Sequence, residues 1–140
     1  MKPTLLYRIA SVLFVLFAAA HTYGFLHFVP PSAEGAAVRD AMYNVHFALK
    51  DGAHTYGAFY EGFGLSLSVC LLFLAFLAWH LGSLAARNPA AIGALGWALC
   101  ATQVAQVVVC LIYLPMVPAI SSAIIAVCLG AAAWRVRALT

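Results

Sequence analysis

His54-Thr55-Tyr56-Gly57-Ala58-Phe59-Tyr60-Glu61-Gly62-Phe63-Gly64-Leu65-Ser66-Leu67-Ser68 opens the second of four long apolar segments. Each segment is close to the roughly 20 residues that cross a bilayer. Glu61 is the one acidic residue inside any of them. The opening tetrapeptide is also a repeat. His21-Thr22-Tyr23-Gly24 closes the first segment and His54-Thr55-Tyr56-Gly57 begins the second, so both copies should lie at one membrane face.

Composition agrees with a membrane protein. Of 140 residues, 66% are hydrophobic and 8% are charged, against about 25% charged in an ordinary soluble domain. Mean hydropathy is +1.01. The net charge of +3 is small and dispersed, which excludes a nucleic-acid surface. Cys70, Cys100, Cys110 and Cys128 all fall in apolar segments without a C-x-x-C pair, so they read as packing residues.

The expected fold is an all-α integral membrane bundle of four transmembrane helices, over about residues 5–25, 57–81, 90–113 and 119–134. A short interfacial helix, about 33–49, is expected between the first two and should cover the mouth of the bundle. Pro30-Pro31 ends the first span, Ser32 caps the short helix, and Val38, Met42, Val45 and Leu49 recur at helical spacing. Arg39, Asp40 and Asn44 then lie elsewhere around the turn, and Asp51-Gly52 signals the return. A signal peptide over the first segment, cut before His21, also fits Ala18-Ala19-Ala20. The apolar run continues past that point and favours a retained span.

Four crossings put both termini on one side, with Lys2, Arg8, Arg87, Arg135 and Arg137 and no acid. The positive-inside rule makes that side cytoplasmic.

His54, Gly57, Glu61, Gly64 and Ser68 step by three and four along one helix face. Glu61 then sits about 6 Å inside the helix start. Gln103, Gln106 and Cys110 form a second stripe, and His21 closes a third. Polar groups facing lipid are costly, so the stripes should converge on a polar pocket in the outer half. An ionisable residue inside a span is a functional candidate by default. Glu61 with His21 or His54 would form an acid–base pair. His21 and His54 could instead bind a metal or hold a haem, since imidazole is a neutral nitrogen ligand. Tyr23, Tyr56, Gln103 and Gln106 would hydrogen-bond a bound molecule, a quinone or a lipid. Each of these residues also has a bland reading, as an interfacial anchor or interhelical glue.

Arg8-Ile9-Ala10-Ser11, the apolar run after it, Ala18-Ala19-Ala20 and His21 resemble the first helix of the DoxX-like group of small four-helix bacterial membrane proteins. Tyr56-Gly57, Glu61-Gly62-Phe63-Gly64 and Ala78-Trp79-His80-Leu81-Gly82 also resemble small four-span bacterial proteins of unassigned function. The resemblance implies a membrane subunit near quinone chemistry and assigns no catalytic residue. Three functions follow as expectations: a binding or accessory protein with an outer pocket, a lipid-directed acid–base enzyme, or a structural subunit. The expected partners are the lipid bilayer and a membrane protein or a second copy of the chain.

Overall fold

The computed structural model describes residues 1–50 and 52–139. Its elements are α1 (Pro3–Leu26), α2 (Ala33–Asn44), β1 (His46–Leu49), β2 (Gly52–Thr55), α3 (Tyr56–Arg87), a 3-10 turn (Pro89–Ile92), α4 (Leu95–Tyr113) and α5 (Met116–Arg137). The helices α1, α3, α4 and α5 are each long and apolar enough to cross a membrane. Large apolar side chains such as Phe73, Phe76 and Val127 are exposed, as expected for surfaces that face lipid.

The chain forms two compact units, Met1–Phe17 with Leu71–Thr140, and Ala18–Cys70. In the first unit, small residues bring helices close together. Gly82 lies against the Thr4 carbonyl, and Gly96 lies against the Tyr7 hydroxyl and Ala133. Tyr7, Ala10 and Phe14 of α1 are fully buried at helical spacing, as are Ala78 and Leu81 of α3. Ser11 Oγ donates to the Ala75 carbonyl at 2.7 Å, tying α1 to α3 by a bond shielded from water. Arg8 lies 4.2 Å from the centre of the Trp79 ring. The third span starts later than its sequence suggests. Gly93, at φ 50°, separates the 3-10 turn from α4.

The Ala18–Cys70 unit joins the end of α1, α2, a β-hairpin and the start of α3. Ser32 Oγ caps α2 by accepting from Gly35 N at 3.1 Å. The helix ends at Asn44, five residues before the expected end at 49. Val45 is extended, and β1 pairs antiparallel with β2, Phe47 opposite His54. A two-stranded ribbon is marginal alone. Here Phe47 is held by ring contacts to Tyr56 at 4.8 Å and Phe59 at 6.0 Å. The helical spacing of Val45 and Leu49 was therefore a coincidence that these contacts override. Of the expected Asp51-Gly52 turn, Asp51 lies outside the described residues, and Gly52 opens β2 at φ 144°. Thr55 Oγ1 then accepts from Ala58 N at 3.0 Å and starts α3.

Helix α3 has 32 residues, or about 48 Å, against a hydrocarbon core of about 30 Å. It is therefore longer than such a core is thick, and the excess is taken up by tilt or by projection into the interface.

Candidate functional site

The α3 stripe Gly57, Glu61, Gly64 and Ser68 is covered along its length within the Ala18–Cys70 unit. A Cβ on Gly57 would lie 2.7 Å from the Tyr43 ring, so that ring rests on bare backbone. Tyr43 Oη reaches one turn further and donates to Glu61 Oε1 at 2.5 Å. The Phe25 ring covers Gly64 in the same way. His21 Nε2 bonds the Gly64 carbonyl at 3.1 Å, and Thr22 Oγ1 bonds Ser68 Oγ at 2.7 Å. Glycine at 57 and 64 is thus needed for close approach of an aromatic ring.

A cavity of about 470 Å³ lies beside this stripe, within the usual range for small-molecule sites. Phe25, Phe28, Val38 and Met42 give it apolar walls, while Arg39, Tyr43 and Glu61 bring polar groups to it. A second groove, of about 430 Å³, shares Pro30, Arg39, Tyr43 and Glu61 with the cavity and adds Asp40. Arg39 Nη1 donates to the Phe28 carbonyl at 3.0 Å, which steadies a guanidinium with further donors. Accepting the Tyr43 proton suits the Glu61 carboxylate, and this bond raises the Tyr43 pKa above its ordinary 10.0. At the start of α2, the Glu34 carboxyl is held below its ordinary value by its own backbone N–H and by Ser32.

The structure brings Glu61 into this cavity and distributes the other anticipated residues elsewhere. His21 is engaged with Gly64 and stacks on Phe25 at a centroid distance of 5.7 Å. His54 sits on β2 and lines another groove with Ala58, Phe59, Gly62, Phe63 and Ser66. The two copies of the tetrapeptide are therefore structurally unlike, one helical and one divided between the end of β2 and the start of α3. Among the described residues, no three His, Cys, Asp or Glu gather as a metal site would require. Tyr23 is exposed and stacks on His27 at 4.3 Å, and Tyr56 is exposed beside Phe47. Gln103 and Gln106 belong to the other unit. There Gln103 is buried, and Gln106 Nε2 reaches Cys110 Sγ at 3.5 Å.

Sequence reasoning gave no site role to Tyr43, Arg39, Met42 or Phe25. One signal was present. Gly35, Val38, Arg39, Met42 and Tyr43 step by three and one, which is a single helix face. Arg39 therefore shares the cavity face with Val38 and Met42 instead of lying away from it. No family model, curated protein or solved structure matches the chain. The functional reading comes from the geometry of the site itself.

Proposed function

We propose that the Ala18–Cys70 unit binds a small amphipathic ligand, a lipid or a quinone, in the cavity beside Glu61. The observation that carries this reading is the pairing of apolar walls from Phe25, Phe28, Val38 and Met42 with the Arg39, Tyr43 and Glu61 polar groups. Such a cavity can take an apolar body and orient a polar end. The DoxX-like resemblance points the same way, toward an accessory protein in a redox assembly. The acid–base alternative has less support, because the carboxylate is bonded to a tyrosine and His21 to a backbone carbonyl.

The protein lies in a bacterial inner membrane with both termini in the cytoplasm on this reading. The basic residues Lys2, Arg8, Arg87, Arg135 and Arg137 support it, while Glu34, Asp40 and Glu61 all fall in the pocket unit. The pocket then opens toward the periplasm. A carboxy-terminal fluorescent-protein fusion should glow and an alkaline-phosphatase fusion should be silent; the reverse pattern overturns the orientation.

Ligand binding is tested by purifying the protein in mild detergent and identifying the co-purifying small molecules by mass spectrometry. Met42→Trp should fill the cavity and strip the bound species from a protein that still elutes as a folded particle. Equal ligand content in wild type and Met42→Trp would overturn the assignment of the pocket.

A further inference from the structure

We infer that the occupant is a zwitterionic aminophospholipid, its phosphate against Arg39 and its ammonium against Glu61 and Asp40; this rests on the pocket reading above. Cavity and groove meet at Pro30, Arg39, Tyr43 and Glu61. One compartment is walled by rings and aliphatic chains, and the other adds a carboxylate. A molecule with an apolar body and a doubly charged end fits both at once.

Arg39 is placed for an anion. Its Nη1 is held by the Phe28 carbonyl, and the rest of the fork can meet phosphate oxygens. Glu61 is placed for a cation. Tyr43 occupies Oε1, and the remaining lone pairs of the carboxylate suit an ammonium, which has three donors and no acceptor. Asp40 adds a second negative group to the groove. A purely anionic headgroup would face two carboxylates beside a single guanidinium. A quinone carries no charge and would leave both signs unanswered.

Position along the helix agrees. Glu61 lies five residues into α3, about 8 Å from its first residue, and the polar ends of lipids lie toward the ends of a spanning helix. The cavity, at about 470 Å³, takes the glycerol and the first part of the chains, and the remainder of the acyl chains stays in the bilayer.

The full chain, delipidated in detergent, is titrated with phosphatidylethanolamine, phosphatidylcholine and phosphatidylglycerol of identical acyl chains, and with a short-chain quinone. Binding is read by native mass spectrometry. Phosphatidylethanolamine should bind about tenfold more tightly than the other two phospholipids, since only its ammonium can donate to the carboxylates. Glu61→Gln should remove that preference, and Arg39→Gln should weaken all three phospholipids. The wild-type comparison with phosphatidylcholine needs no variant, so it stands even if a variant misfolds. Equal binding of the three headgroups, or tighter binding of the quinone, overturns this inference. If Met42→Trp still abolishes that binding, the pocket reading survives; if Met42→Trp changes nothing, the pocket reading fails as well. Glycerophosphoethanolamine should compete only weakly, and competition equal to the intact lipid would make a soluble headgroup the occupant and overturn the lipid assignment.

Discussion

Gly57→Ala should loosen α2 from α3. The new Cβ would meet Cγ, Cδ1 and Cε1 of Tyr43 at 2.7–2.8 Å. These atoms include the base of the ring, so a tilt cannot relieve the clash and the side chain must swing away. Overpacking of this kind costs about 1–3 kcal/mol. Moving the ring also breaks the bond to Glu61. Bonds to charged groups contribute about 1.5–3 kcal/mol, but Tyr43 is 39% exposed, and solvent brings this one down to about 1 kcal/mol. Alanine returns up to about 1 kcal/mol of helix propensity over glycine. The net loss is about 1–3 kcal/mol, or roughly 5- to 150-fold more frequent opening of α2. Hydrogen–deuterium exchange of the Ala33–Asn44 peptide in detergent reads this directly. Gly62→Ala is the control, because none of the described residues comes within 4 Å of a Cβ there, and α3 should gain up to about 1 kcal/mol. In a Tyr43→Ala background the clash is gone, so Gly57→Ala should no longer increase exchange. Wild-type exchange in Gly57→Ala, or an undiminished effect in the Tyr43→Ala background, would refute the reasoning.

Three further outcomes are expected. Ser11→Ala removes the 2.7 Å bond to the Ala75 carbonyl and should lower stability by about 0.5–1.5 kcal/mol in detergent denaturation, the usual range for such bonds in membranes. Gln103→Leu should stabilise by about 1 kcal/mol in the same assay, because Gln103 Nε2 is buried with no hydrogen-bond partner among the described residues and leucine removes the unmet donor. Tyr43 should ionise above its ordinary 10.0, because the bond to Glu61 favours the protonated phenol. Its raised folded pKa makes its contribution to stability complete below that ordinary value and lost as pH climbs through the raised one. The difference in phenolate absorbance between wild type and Tyr43→Phe should show one late-titrating group; titration at or below the ordinary value would contradict the bond.

The candidate site was half legible. Glu61 stood out as the acid inside an apolar segment, and the steps Gly57, Glu61, Gly64 and Ser68 placed it on one face. Its partner did not stand out. Tyr43 precedes Glu61 by 18 residues, with a hairpin between them, and no local pattern connects the two. The repeated His-Thr-Tyr-Gly suggested equivalent positions, yet one copy ends a helix and the other forms strand and helix start. The backbone of each copy follows its flanking residues, which differ.

By itself the chain determined the four spans and the short helix after the first. Hydropathy is a sum over neighbouring residues, and Pro30-Pro31 and Ser32 act within a turn of where they stand. Only the tertiary structure decided that α2 stops at Asn44, that Phe47 supports a hairpin, and that Tyr43 and Arg39 meet at the cavity holding Glu61. Those choices depend on rings resting on Gly57 and Gly64 from elements distant in the chain. Such contacts exist only once the segments have packed.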